Sequence, residues 1–229
     1  MLKPKKKLTK KEMKVDPLIS TYTKFTNFYY NNKKYISYAT TGLVVIIIAI
    51  IFYVNNIRKN NEIAAAELGK IFHFYDQGDY QSVINGQPEK GIKGLKSIVD
   101  EYGGSKSGNL ARYYLANSYY MIGETDQALE EFNNVSLSDH LLQASAYAGI
   151  AACYERKGNN LEAAKYYYKA ADEVSDQSQT PEYLNLAAKN YGTAGEKTKA
   201  VDIFKRIKNE YTNHPAAREV DRFIALYSN

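Results

Sequence analysis

The chain has 229 residues, enough for one ordinary domain with extensions, and its single cysteine, Cys153, excludes an intramolecular disulfide. Residues 1–34 carry ten lysines against two carboxylates, whereas the remainder carries 20 cationic and 23 acidic side chains. Because a nucleic-acid-binding domain normally has a basic face of its own, this distribution argues against nucleic acid as a partner.

The N-terminal stretch 1–34 is predicted to be a basic tail. Its lysine-rich beginning, "KPKKKLTKKEMK", is expected to be disordered, either fully solvated or touching anionic lipid. In segment 17–30 apolar and aromatic residues recur at helical spacing, which predicts a short amphipathic helix on a membrane surface. Those residues are Leu18, Tyr22, Phe25 and Tyr29.

Residues 35–57 form an uncharged segment that contains the run "TGLVVIIIAIIFYV". As a helix of 23 residues it would span ~34 Å, enough for the ~30 Å hydrocarbon core. Its length disfavours a soluble strand, and the 34 residues before it disfavour a cleaved signal peptide. The segment is therefore predicted to be an uncleaved transmembrane helix. Few helix breakers precede Gly69, so this helix is expected to continue into the repeats described below.

The flanking charges predict the orientation of this segment. Lysines are in excess on its N-terminal side, with Lys24, Lys33 and Lys34 nearby and a further group behind them. The C-terminal side offers Arg58, Lys59 and Lys70. By the positive-inside rule the N-terminus is cytoplasmic and residues 58–229 lie outside.

Three glycines, Gly123, Gly158 and Gly195, recur at spacings of 35 and 37 residues. Around each of them an alanine lies seven residues before, a tyrosine four before, an alanine five after and an aromatic residue nine after. This pattern resembles the tetratricopeptide repeat, a helical hairpin of ~34 residues that buries its apolar stripe by stacking on neighbours. The glycine ends the first helix, and the alanines let two helices approach closely.

The predicted fold is all-α: a single N-terminal transmembrane helix followed by an α-solenoid over residues 58–229. The units are an atypical repeat at 62–104, repeats at 105–136, 138–174 and 181–212, and a capping helix at 214–228. In the atypical repeat the second helix arrives eight residues late. The polar insert 81–90, with Asn85-Gly86 and Pro88, is therefore predicted to be a loop.

No pattern of catalytic or metal-ligating residues emerges. His73, His140 and His214 share no helix face, and none neighbours Cys153, so zinc-ligand spacing is absent. The stretch "GGSKSGN" lacks the Gly-Lys-Ser/Thr order of a phosphate loop and predicts an inter-helix turn with Ser105 or Ser107 as the N-cap of the next helix. We expect no enzyme, no cofactor and no metal.

The remaining expectation is that the first helices of the repeats bind protein segments on their concave surface. The candidate groove residues are Tyr113, Asn117, Tyr120, Met121, Ala148, Ala152, Glu155, Asn185 and Lys189. The alternatives are that these are ordinary exposed positions, or that the insert 81–90 does the binding. Ala148 and Ala152 stand where chaperone-tail-binding repeats carry polar clamp residues. This disfavours an acidic C-terminal peptide and favours apolar or extended segments.

The order of elements, with "YYNNKKYISYATTGLVVIIIAIIFYVNN" as one anchor before "GLKSIVDEYGGSKSGNLARYYLANSYY", carries a further resemblance. It resembles the bacterial YfgM-type family of ancillary Sec translocon subunits and related membrane-anchored tetratricopeptide proteins of Bacteroidetes-like bacteria. The resemblance implies a single-pass inner-membrane scaffold with periplasmic repeats. Its partners would be the Sec translocon, periplasmic chaperones and exported clients. The alternatives are a structural adaptor in cell-envelope assembly and a cytosol-facing receptor.

Overall fold

The computed structural model describes residues 17–174 and 178–228. In these residues the fold is all-α, as predicted, and the part from Asn56 onward forms a compact unit separate from the part before it. The helices are α1 (Pro17–Asp76), α2 (Tyr80–Asn85), α3 (Leu95–Tyr102), α4 (Lys106–Met121), α5 (Thr125–Asn133), α6 (His140–Arg156), α7 (Asn160–Glu173), α8 (Thr180–Thr193), α9 (Lys197–Glu210) and α10 (Val220–Tyr227). Two short 3-10 helices (Pro88–Lys90 and Pro215–Glu219) and two strands of two residues, β1 (Gly86–Gln87) and β2 (Ile92–Lys93), complete it.

Helix α1 is 60 residues long and contains the predicted membrane segment. Residues 17–30, which were predicted to form a short amphipathic helix, are helical but continue without a break into the rest of α1. Pro17 occupies the first helical position, where its missing N–H costs nothing, and no proline or glycine follows before Gly42. The lysine-rich stretch that precedes Pro17 lies outside the described residues.

Within the described part of the chain, α1 is the helix long and apolar enough to cross a membrane. Its large apolar side chains from Leu43 to Val54 are between 47% and 76% exposed. Among residues 17–174 and 178–228 nothing buries this apolar run, and such a run would be unfavourable in water. Both a transmembrane helix and a signal sequence have this composition.

The helices after residue 105 pair into hairpins α4/α5, α6/α7 and α8/α9. Gly123, Gly158 and Gly195 have φ values of +88°, +76° and +86°. This left-handed conformation, natural for glycine, ends the first helix of each hairpin. The N–H of the residue after each glycine donates to the carbonyl of the repeat tyrosine, at 2.9 Å in all three hairpins. The predicted role of the glycine spacing is confirmed.

The repeat alanines lie where paired helices meet, and all of them are 0% exposed. The aromatic residue nine positions after each glycine fills the space beside them: Phe132, Tyr167 and Phe204 are at most 6% exposed. The buried residues form a series of clusters, each shared by neighbouring helices. Stability therefore comes from contacts between neighbours along the stack.

The prediction that the insert 81–90 is a loop is wrong. Helix α2 continues into the insert as far as Asn85 and is capped by Asp79, whose Oδ1 accepts a hydrogen bond from the Ser82 N–H at 3.2 Å. Val83 and Ile84 are buried, at 0% and 4% exposure, in the first apolar cluster. Two adjacent apolar side chains in a polar stretch suffice for a short helix, because packing on its neighbours supplies the stability that six residues lack by themselves.

A tight β-hairpin then connects α2 to α3. Strands β1 and β2 pair antiparallel, with Gly86 opposite Lys93. Gly86 has a φ of +77°, and a Cβ on it would lie 2.3 Å from the Gly94 nitrogen. Helix α3 follows and buries Leu95 and Ile98 completely. Helices α2 and α3 together take the place of one second helix in the atypical repeat.

The C-terminal segment packs on the last hairpin. A 3-10 turn leads into α10, in which Val220 is 1% exposed. The rings of Phe223 and Tyr227 stack with that of Phe204, at centroid distances of 5.1 and 6.2 Å. Helix α10 thus covers apolar surface of α9 that another repeat would otherwise bury.

Candidate functional site

The candidate groove residues occupy equivalent positions on the first helices of the three hairpins. Counted back from each repeat glycine, these are the tenth, sixth, third and second residues. Most of these side chains are half-buried. The three helices α4, α6 and α8 differ in what their side chains do at these positions.

On α4, Tyr113 is part of the packing and Met121 is free. The Tyr113 ring makes edge contacts with Tyr114 and Phe132, at centroid distances of 5.4 and 6.1 Å. The Asn117 side-chain amide donates to the Tyr113 carbonyl at 3.2 Å. Met121 is 57% exposed, so its thioether side chain is the flexible apolar group that α4 offers to a partner.

Tyr120 is joined to α6 by an arginine that sequence reasoning missed. The Arg156 guanidinium carbon lies 3.6 Å from the centroid of the Tyr120 ring, and Nη1 donates to the Tyr120 carbonyl. This cation–π contact and hydrogen bond connect two successive repeats. The spacing could have identified Arg156, since it stands two residues before Gly158 as Met121 stands two before Gly123.

On α6 the face is small and partly acidic. Ala148 and Ala152 are half-buried and leave a shallow surface. Glu155 is exposed, and its Oε2 accepts a hydrogen bond from the Tyr167 hydroxyl at 2.9 Å. Burial and the nearby Glu155 carboxylate raise the pKa of Tyr167 well above its usual value, so this phenol stays neutral and donates.

On α8 the candidate positions lie against the C-terminal segment. The Lys189 ammonium nitrogen is 4.8 Å from the centroid of the Phe223 ring in α10. Asn185 lines a hollow of about 190 Å³ together with Pro215, Ala216 and Phe223. The structure therefore brings Asn185 and Lys189 together with the cap, whereas the candidate positions on α4 and α6 are not covered by it.

The atypical repeat adds two aromatic residues to equivalent positions. Phe72 and Tyr75 stand six and three residues before Gly78, and their rings contact Tyr114 at centroid distances of 4.8 and 5.1 Å. Burial and neighbouring phenols raise the pKa of Tyr75 to about 12. Sequence reasoning missed both residues because the register broke after Gly78, although the spacing before that glycine was intact.

The chemistry available on this surface suits recognition of polypeptide. It offers aromatic rings at Phe72 and Tyr75, a thioether at Met121, small residues at Ala148 and Ala152, and isolated charges. In residues 17–174 and 178–228 no group of three or more His, Cys, Asp or Glu residues lies close enough to hold a metal ion. Cys153 is buried, and burial raises the pKa of its thiol to about 11.

Comparison with known proteins identifies the repeat type. Residues 110–136, which cover α4 from Leu110 onward and all of α5, match the family model described as tetratricopeptide repeat. No curated protein matches the sequence. The chain is similar to a crystal structure of nearly identical TPR-like repeats, described as those of a kinesin light chain from Podosopora anserina. The TM-score is 0.52 and the sequence identity is 15%. That match covers 71% of this chain and 84% of the other, and it shows the fold. Repeats of this type indicate a protein–protein interaction scaffold.

Proposed function

We propose that this protein is a membrane-anchored scaffold that assists exported proteins as they leave the translocon. In this proposal residues 35–57 cross the bacterial inner membrane once, the N-terminus is cytoplasmic, and the tetratricopeptide repeats of residues 58–229 lie in the periplasm. Its partners are the Sec translocon, periplasmic chaperones and their clients. The lysine excess before residue 35 and the apolar run in α1 support the anchoring and the orientation.

The single observation that supports binding of protein segments is the surface of α4 and α6. There Met121 is exposed on α4, and Ala148 and Ala152 present small, half-buried side chains on α6. The Tyr120–Arg156 contact gives this surface a rigid aromatic and cationic border. A preorganised, mainly apolar groove of this kind suits extended apolar segments, because little ordering cost is left for the complex.

In-cell photo-crosslinking tests the proposed partners. A photo-reactive amino acid at Met121 is expected to capture translocon subunits and exported precursors. The control is the same amino acid at Gln127, an exposed residue on α5, the second helix of the same hairpin. Capture of the same proteins from both positions would contradict a role for this surface. Capture of envelope-assembly proteins alone would favour the structural adaptor.

A reporter fusion tests the orientation separately. Alkaline phosphatase fused after Asn229 is expected to be active, because the enzyme folds only outside the cytosol. Green fluorescent protein at the same position, exported unfolded through the translocon, is expected to be dark. The opposite pair of results would assign the repeats to the cytosol and favour a receptor there.

A further inference from the structure

One edge of the repeat domain is apolar where the domain begins. The hollow at this edge has a volume of about 210 Å³. Its lining includes Asn61 of α1, Lys106 and Leu110 of α4, Leu137 of the connection before α6, and Leu142 of α6. The N-terminal ends of α4 and α6 meet there, so the leucines project from helix starts and from the connection 134–139.

This edge is tied to the beginning of the domain. The Ser107 backbone N–H donates to Asn61 Oδ1 at 2.8 Å, which joins the start of α4 to α1. Asn61 follows Ile57, the last residue of the proposed membrane segment, by four positions. Four residues reach at most ~14 Å even when fully extended, so Asn61 stays within that distance of Ile57 in any conformation.

Leu141 adds an exposed apolar side chain to the same edge. It is 42% exposed in the first turn of α6, directly before Leu142 of the hollow. In the described residues after Ile57, the large apolar side chains with this degree of exposure are Met121, Leu141 and Leu226. A protruding leucine beside an apolar hollow is typical of a surface that has a partner.

The charges at this edge do not favour one sign. Lys106 and Asp139 both line the hollow, and Arg58 and Glu62 flank Asn61 on α1. The Asp139 carboxylate is also engaged, since its Oδ1 accepts from the Leu142 backbone N–H at 3.0 Å as the cap of α6. A partner recognised here is therefore held by apolar contact and not by net charge.

We propose that this edge rests on the outer surface of the membrane, with Leu137 and Leu141 inserted among the lipid headgroups. The occupant is the bilayer interface because chain connectivity keeps Asn61 near the end of the membrane segment. The inference rests on the proposed anchor, and it adds a second contact that restrains the tilt of the repeats against the membrane.

Lipid quenching of a fluorescent label tests this contact in the full-length protein reconstituted in vesicles. The environment-sensitive dye NBD is attached to Leu141→Cys or, as a control, to Leu226→Cys, which replaces a similarly exposed leucine in α10. The parent protein serves as the labelling blank, because Cys153 is 0% exposed. Nitroxide-bearing lipid is expected to quench the Leu141→Cys label at least threefold more than the control label, and aqueous iodide to do the reverse. Equal quenching at both positions would overturn the proposal.

Two further measurements separate the possible failures. Resistance of the parent protein to carbonate extraction reports on the anchor alone. Carbonate resistance combined with iodide quenching at Leu141→Cys would overturn this inference and leave the anchor in place, whereas release by carbonate would overturn both. Lipid quenching is expected to be equal in phosphatidylcholine vesicles and in vesicles with phosphatidylglycerol at high salt. Quenching that requires phosphatidylglycerol and disappears in salt would show a charge-driven contact and overturn the apolar one.

Discussion

At the scale of single residues, two glycines on helices predict opposite responses to the same substitution. A Cβ on Gly149 in α6 would lie 2.4 Å from the Phe132 ring, which is 2% exposed and cannot move aside. We expect Gly149→Ala to lower the free energy of unfolding by about 1–3 kcal/mol, because overpacking outweighs the better helix propensity of alanine. Thermal unfolding in detergent, followed by far-UV circular dichroism, measures the change.

Gly69 in α1 is the matched control. Nothing lies within 4 Å of a Cβ built on it. Gly69→Ala should therefore raise the free energy of unfolding by about 0.5–1 kcal/mol, the propensity gain alone. Stabilisation by both substitutions would show that α6 does not approach Phe132 as closely as described.

Cys153 predicts a pH dependence of stability in the alkaline range. Burial raises the pKa of its thiol from 9.0 to about 11, whereas an unfolded chain titrates near the lower value. The buried neutral thiol contributes its full stability below pH 9, and this contribution is lost as the pH rises toward 11. The loss is about 2–3 kcal/mol by linkage.

Cys153→Ser isolates this contribution from the ionisation of the tyrosines. Serine already occupies the equivalent position in the preceding repeat, where Ser118 is 0% exposed and its hydroxyl donates to the Tyr114 carbonyl. Urea unfolding at pH 8, 9, 10 and 11 should show a steeper fall for the parent protein than for the variant. Parallel curves would mean that Cys153 titrates normally in the folded state.

At the scale of elements, helix α2 gives the sharpest test of the atypical repeat. Ile84 is 4% exposed, so Ile84→Ala should lower the free energy of unfolding by about 2–4 kcal/mol through lost burial and a cavity. Lys90 lies in the same insert and is exposed. Lys90→Ala should therefore change the free energy of unfolding by less than ~0.5 kcal/mol. Chemical unfolding measures the stability of both variants. Equally small effects would support the prediction that the insert is a solvated loop.

Helix α1 shows that helical periodicity in a sequence does not by itself predict where the helix ends. Segment 17–30 has the periodicity of an amphipathic helix, but nothing in its sequence ends that helix. A helix boundary needs a breaker or a cap, and the first glycine occurs at Gly42 within the apolar run. The pattern therefore predicted the helical state of these residues but not the length of the helix.

At the scale of the whole molecule, the stack predicts that damage at one end stays local. Deletion of residues 214–229 removes the partly buried contacts of Phe223, Ile224 and Tyr227 and the fully buried Val220. The free energy of unfolding of the last hairpin, α8/α9, should fall by on the order of 4 kcal/mol, because each buried apolar side chain contributes about 1.5–3 kcal/mol at most. Amide hydrogen exchange should accelerate in α8 and α9 while α4 and α5 keep their protection.

Leu226→Ala in α10 is the control for this deletion. Leu226 is 59% exposed, so its truncation should leave exchange unchanged throughout the repeats. Loss of protection in α4 and α5 on deletion would indicate that the repeats unfold as one cooperative unit instead of by nearest-neighbour steps.

The helical hairpins could be predicted from the sequence because the residues that determine them are close together in the chain. Gly123 and Tyr119 lie four residues apart, and the turn between them is closed by backbone bonds that depend on a left-handed glycine. Ser105 and Ser107 were both candidates for the cap of α4, and the cap is Ser105, whose Oγ accepts a hydrogen bond from the Gly108 N–H at 3.0 Å. Both serines satisfy the local pattern, so only the backbone geometry distinguishes them.

The candidate groove was harder to predict because its surface depends on distant residues. Position alone placed Lys189 on the same face as Asn117 and Ala152. Its environment is set by Phe223, 34 residues further along the chain, and the environment of Tyr120 is set by Arg156, 36 residues away. No periodicity of 3.6 residues carries information about such contacts.

The sequence by itself determined the repeat period, the hairpin turns, the buried alanines and the apolar run of α1, because each follows from backbone conformation or hydrophobic spacing within a few turns of helix. Only the tertiary structure decided that α2 forms within the insert and that α10 lies against α8 and α9. It also decided that Arg156 covers Tyr120. These features depend on side chains that meet across elements, and packing between distant segments selects them.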